Sequence, residues 1–278
     1  MPDDPKPNWH EWDLPFNHTP RLIRPLTHGR TNQSYLVEAD GQLWVLRINF
    51  KNSEVLGIDR QRELIILEQA STTGLAPKLH YCSVEQGVLI TEFIDGLHWQ
   101  VSALNDRDKL SSLTEGLHRI HALEVATLPF DYKQHAENYW QQLIDRNISI
   151  PDELSRQREN MLPLFTNIPV SNVICHHDPS PHNIIVQSHR LYFLDWEYAA
   201  PGWPALDFAA LSSEWNIPVD KLATSNGIDI EEIKQALDLY VYLCDLWSCL
   251  RNPFVHPLLK TVRGNGVEPN KSTQKKPR

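Results

Sequence analysis

Asp178, Asn183, Asp195 and Glu197 lie close together in the chain, and their types and spacing suit phosphoryl transfer. Asp178 and Asn183 bracket one short loop, HHDPSPHN at 176–183, of the form H-x-D-x-x-x-x-N. A carboxylate at the first position can take or orient the proton of an attacking hydroxyl, and an amide oxygen at the second can hold Mg²⁺. An unperturbed Asp, with a pKa of about 3.9, is an ionised acceptor near neutral pH. Pro179 and Pro181 stiffen the loop between them. Asp195 directly follows the apolar run 191–194, where a carboxylate is costly unless paired or bound to metal. Beside Asn183 it reads as a second metal ligand, and Glu197 either shares the metal or faces an acceptor pocket. The blander alternatives are a proline-rich turn with Asx hydrogen bonds and, for Asp195, a helix cap or structural salt bridge. His176 is expected to be buried and bonded to loop backbone. His177 and His182 read as incidental loop residues.

These groups need elements to carry them. Around the loop the pattern is loop, strand (184–186), polar turn, strand (191–194), acid. Upstream, residues 21–26, 35–38 and 43–48 read as strands, the last two joined at Asp40-Gly41, a strong hairpin signal. Residues 60–70 have helical periodicity, with Leu64, Ile65 and Leu67 on or near one face. A second hairpin joins 78–84 to 88–93 around Gly87, and 92–96 leads out of the sheet. From there the chain turns helical, with helices expected at 106–123, 136–147, 152–165, 205–215 and 231–250.

The resulting class is α+β with two lobes: an irregular lead-in at 1–20, a small antiparallel-sheet lobe with one helix at 21–95, a larger mainly helical lobe at 96–260, and a polar basic tail at 261–278. A ligand pocket is expected between the lobes.

On the small lobe, Arg47 sits on a strand, on the face opposite Leu46 and Ile48. Its functional reading is a forked phosphate contact, tethered by Glu63 of the following helix. The polar segment 27–34, with Gly29, Thr31 and Asn32, would close over phosphates through backbone amides. In the large lobe Trp196, Tyr198, Trp203, Trp215, Tyr240, Tyr242 and Trp247 supply aromatic faces, and Asp207 and Glu214 supply charge. Two or three of these aromatics are expected to form a box for a cation, since aromatic faces and carboxylates both attract quaternary nitrogen.

The chain has 278 residues and a net charge of −9, which disfavours a nucleic-acid partner and favours a cationic small molecule. No run of apolar residues is long enough to span a membrane. The N-terminus is polar rather than signal-like. The four cysteines lack zinc or redox spacing and read as free thiols of a cytoplasmic protein. No H-E-x-x-H pattern occurs among the 13 histidines. Nothing in the sequence sets an oligomeric state.

The motifs resemble the aminoglycoside phosphotransferase/choline kinase superfamily, which has a protein-kinase-like fold. VLRI (45–48) is similar to the small-lobe strand of choline kinases, and Glu63 to the helix Glu that pairs with it. HHDPSPHN is similar to the catalytic loop, LDWEYA (194–199) to the metal segment of choline and bacterial thiamine kinases, and ALDFAALSSEW (205–215) to the acidic helix beyond it. The resemblance spans about residues 22–250. It implies an ATP- and Mg²⁺-dependent kinase of a small cationic alcohol such as choline or thiamine. Asp178 would be the base and Asn183 and Asp195 the metal ligands. Arg47 and Glu63 would serve the nucleotide phosphates, with Glu92 and Ile94 in the hinge at adenine. Glu197, Tyr198, Asp207, Glu214, Trp215 and Trp247 would line the acceptor pocket. Aminoglycosides, sugars or other metabolites are rival acceptors, and a nucleotide-binding pseudokinase is the rival without catalysis.

Overall fold

Asp40 and Gly41 both take positive φ, 50° and 76°, the backbone that a two-residue hairpin requires. They join β2 (Gln33–Ala39) to β3 (Gln42–Ile48), and β1 (Arg21–Leu26) lies on the other side of β2. The computed structural model describes residues 12–26 and 32–251. The expected phosphate-loop residues Gly29 and Thr31, most of the lead-in and the basic tail therefore lie outside the described residues.

After β3, helix α1 (Arg60–Thr72) leads into β4 (Leu79–Ser83) and β5 (Val88–Glu92). These complete an antiparallel five-stranded sheet in the order β1-β2-β3-β5-β4. Asp59 starts α1 by accepting the amides of Gln61 and Arg62, each at 3.0 Å. The buried face of α1 is Glu63, Ile66, Leu67 and Ala70, one helical stripe. The sequence expectation placed Ile65 on or near that stripe, but Ile65 is exposed. The register was disguised because the stripe begins with a charged residue.

The larger lobe starts with β6 (Leu97–His98) and α2 (Arg107–His121), followed by α3 (Tyr132–Asp145) and α4 (Asp152–Phe165). Helix α3 begins four residues before the expected 136, because Asp131 caps it through the Gln134 amide at 2.8 Å. Next come β7 (Ile174–Cys175), β8 (Ile184–Gln187), β9 (Arg190–Phe193) and β10 (Ala200–Pro201). The β8–β9 turn puts Ser188 and His189 at positive φ, without the usual glycine. Helices α5 (Pro204–Trp215), α6 (Val219–Asn226) and α7 (Ile230–Arg251) complete the lobe. Helix α6 was not expected from the sequence.

One core ties the lobes together. Ile66, Leu67 and Ala70 of α1 belong to the same buried cluster as Leu113 and Leu117 of α2, Phe193 of β9 and Phe208 of α5. Burying each such large apolar side chain contributes about 1.5–3 kcal/mol. Gly116 permits this approach, since a Cβ there would stand 2.8 Å from the Phe193 ring. A second cluster packs α3, α5 and α7 together, and a third fills one face of the small sheet with Tyr35, Val37, Leu46, Val88 and Ile90.

Candidate active site

The loop between β7 and β8 carries Asp178, and its shape is fixed from below by Asp207 of α5. Fully buried, Asp207 accepts the backbone amides of His176 at 3.0 Å and His177 at 2.7 Å, and the His121 Nε2 contact at 2.9 Å. Burial pushes its pKa up, but the His121 bond and charge outweigh that and hold it below the usual carboxylate range. Asp207 was expected in the acceptor pocket. It supports the loop instead and does not reach the cavity wall. Trp215 is corrected in the same way: its buried indole donates to the Pro179 carbonyl at 2.7 Å.

His176 is buried as expected. Its Nε2 lies 3.0 Å from the Leu194 carbonyl and its Nδ1 accepts the Asp178 amide at 3.3 Å. His177 is not incidental. It takes a positive φ of 67°, and its ring bridges Tyr132 Oη at 2.7 Å and the Tyr198 carbonyl at 2.9 Å. Burial lowers both imidazoles, His176 to about 4.

Asn183 donates Nδ2 to the Asp178 carbonyl at 3.0 Å and to the Asp178 carboxylate at 2.7 Å. Asn183 itself lines the cavity. Past β9, Asp195 stands in the left-handed region, φ 56° and ψ 68°, ahead of a 3₁₀ turn at Trp196–Tyr198. Non-glycine residues held there cost stability and cluster at functional sites. Its side chain does not cap that turn; it faces Arg47 Nη1 at 3.3 Å. The Leu194 amide donates to the Asn183 carbonyl at 2.7 Å, which locks the Asp195 segment to the catalytic-loop candidate.

Asp178, Asn183, Asp195 and Glu197 share one cavity of about 470 Å³, whose lining, from His98 to Ser248, comes wholly from the larger lobe rather than from both lobes as expected. Burial, then Glu214 and Glu197, push Asp178 up to about 7. Burial and Glu197 also raise Asp195 well above the ordinary range, against the opposing pull of Arg47. Asn183 and Asp195 offer oxygen ligands of the kind that a hard divalent cation takes, while the carboxylates of Asp178, Asp195 and Glu197 do not draw together into one three-ligand cluster.

Arg47 is buried and meets Glu63, the tether expected from the sequence: Nη2 lies 2.6 Å from Glu63 Oε1, and Nε donates to Asn49 Oδ1 at 2.9 Å. Its pKa is raised: burial opposes the charge, but Glu63, Asp195 and Glu197 outweigh it. Glu92 ends β5 and Ile94 is buried just beyond it; both lie outside the walls of this cavity.

The cavity is also lined by Tyr198, Glu214, Tyr240 and Trp247. Three of the seven aromatics named from the sequence thus face it. Trp196, Trp203, Trp215 and Tyr242 are packed into the core. Sequence reasoning missed Phe130, His135 and Tyr139, which line the same cavity. For His135 and Tyr139 the available signal was their place on the buried stripe of α3 at 132, 135, 136, 139, 140 and 143; Phe130 lies just before that helix. None of the four cysteines forms a disulfide, and Cys244 lines the cavity. No described helix is long and apolar enough to cross a membrane.

Comparison with known proteins fits this geometry. Residues 22–230 match the model of the phosphotransferase enzyme family, and the chain belongs to that family. Protein LicA of Haemophilus influenzae is 28% identical over 214 residues, covering 74% of this chain. The chain spans only 59% of the length of that relative. The fold is shared with choline kinase LicA from Streptococcus pneumoniae, with a TM-score of 0.67 and 23% identity over 82% of this chain and 86% of that one. It is also shared with a choline/ethanolamine kinase family protein from Mesorhizobium loti, with a TM-score of 0.65 and 19% identity over 88% and 84% of the two chains.

Proposed function

We propose that this member of the phosphotransferase family moves the γ-phosphoryl group of ATP to the hydroxyl of a small cationic alcohol, choline first among them, in the cytoplasm. The observation that carries the reading is one cavity with two chemistries. Its lining combines Asp178, Asn183 and Asp195 with an aromatic and acidic set, Tyr198, Tyr240, Trp247 and Glu214. A cationic head against those aromatic faces would present its hydroxyl to Asp178.

Asp178 orients the hydroxyl and takes its proton. The raised pKa suits that role, and a cation beside Glu214 offsets one of the charges that raise it. Asn183 braces the carboxylate from the loop's other end. Asn183 Oδ1 and Asp195 are the groups that would hold Mg²⁺, which when bound supplies charge neutralisation at the phosphates. Arg47, steadied by Glu63 and Asn49, offers a guanidinium to phosphate oxygen.

An acceptor panel tests the reading, with ADP release as the signal. Choline, ethanolamine and thiamine form one arm, and aminoglycosides and neutral sugars the other. Turnover on a single-cation alcohol is expected. Turnover confined to sugars or polycations would replace the acceptor assignment, and nucleotide binding with no turnover would point to a pseudokinase.

A further inference from the structure

Arg60 opens α1, and its side chain is 8% exposed. Nη1 donates to Glu63 Oε2 at 2.7 Å and to Glu197 Oε2 at 3.2 Å, while Nη2 donates to Asn32 Oδ1 at 2.9 Å. Asn32 closes the ring by donating Nδ2 to the same Glu197 oxygen at 2.8 Å. Its Oδ1 also accepts the Phe50 amide at 3.2 Å. The ring joins the residue before β2, the first turn of α1 and the 3₁₀ turn after Asp195.

Two acids hang on this one guanidinium. Glu63 gives Oε1 to Arg47 and Oε2 to Arg60. Glu197 gives Oε2 to the ring and lines the cavity beside Asp195. Without Arg60, Arg47 alone would face the three carboxylates of Glu63, Asp195 and Glu197. A further observation argues against a purely stabilising role: Arg60 Nε is buried with no hydrogen-bond partner among the described residues. An orphan donor costs stability, so this is not the arrangement that would stabilise the fold best.

We propose that Arg60 is a positioning residue for phosphoryl transfer: it holds Glu197 at the cavity wall and Glu63 beneath Arg47, setting both sides of the site from one fork. It acts through those acids and touches neither substrate. The proposal rests on the phosphotransfer reading of the cavity. A lysine cannot replace it, because one ammonium lacks the planar fork that spans Glu63, Glu197 and Asn32.

The test is a double-mutant cycle with Arg60→Met and Glu197→Gln, joined by Arg60→Lys. Each protein is followed by urea unfolding without ligand, by calorimetric affinity for ADP and by kcat. Arg60→Met is expected to lower kcat about 10- to 100-fold and to weaken ADP binding several-fold. The double variant is expected to be no slower than the slower single one. Arg60→Lys should regain most of the stability yet stay at least several-fold below wild type in kcat. Coupling in unfolding with kcat and ADP affinity unchanged would reduce Arg60 to a structural residue and overturn the proposal, as would additive losses in kcat. A wild-type protein that phosphorylates nothing would instead sink the phosphotransfer reading, and this inference with it.

Discussion

Asn183 holds the carboxylate of Asp178 at 2.7 Å and the carbonyl of the same residue at 3.0 Å, so one amide braces both the side chain and the backbone of the candidate base. A group braced in this way is aimed before any substrate arrives, and its orientation costs nothing at the moment of reaction. The brace does not bring the pKa back to the ordinary range. Burial, Glu214 and Glu197 prevail and push Asp178 up to about 7.

That balance predicts opposite effects of Asp178→Asn on function and stability. Turnover should fall about 10²- to 10⁴-fold, the range for loss of a positioned base. Stability should move the other way. A carboxyl whose folded pKa is raised stabilises the fold at low pH and loses that contribution as pH climbs from about 4 through about 7. At pH 8 in EDTA the variant should therefore be the more stable protein by about 1–3 kcal/mol, with the gain vanishing near pH 4. Urea unfolding at the two pH values checks this, and an unchanged difference would contradict it.

The legible parts of the sequence were those with a local physical cause. Asp40-Gly41 announced its hairpin, and HHDPSPHN announced its loop. Leu110, Leu113, Leu117 and Ile120 announced the buried face of α2. The register of α1 was obscured because Glu63 occupies its buried face. β6, β7 and β10 span two residues each, too short for any period. The role of Asp207 was hidden because its partners, His121 and two loop amides, meet it only through the tertiary fold. Arg60 did leave a trace, since it lies three residues before Glu63 on the same helix, but its bonds to Glu197 and Asn32 have no local signature.

Asp207→Ala should be among the most damaging single changes. It would strand two buried amides and remove the partner of His121 together. Each buried donor left without its acceptor costs about 1–3 kcal/mol. The expected outcome is a large fall in denaturant midpoint with loss of activity, whereas Asp178→Asn loses activity alone. A midpoint within error of wild type would refute the view of Asp207 as the prop of the loop.

Among the other residues lining the cavity, Trp247→Ala and Glu214→Gln should separate acceptor binding from nucleotide binding. A cation over an aromatic face contributes about 0.5–2 kcal/mol. KM for a cationic acceptor should therefore rise several-fold to about 30-fold in Trp247→Ala while ADP affinity stays put. If both affinities weakened equally, the wall would be shaping the whole cleft rather than reading the acceptor.

His135 offers a pH test away from the candidate metal ligands. Its ring packs against Phe130, Tyr139 and Tyr198, with centroids 4.9, 4.4 and 5.6 Å away. Burial, then the nearby His177 and Arg62, lower its pKa to about 3. The folded protein thus keeps His135 neutral where the unfolded chain protonates it, below about 6.5. The stability from the neutral ring is fully present above that value and is lost as pH falls toward about 3, at about 1.4 kcal/mol per pH unit. Between pH 7.5 and 5 the wild type should therefore lose about 2 kcal/mol relative to His135→Gln, which has no such proton to take up. Taking the difference between the two proteins cancels the opposing slopes of Asp178 and Asp195, which the variant retains. Urea midpoints across that interval measure it. A difference that stays flat would mean that His135 is protonated in the folded protein, and that the wall it belongs to is open to water.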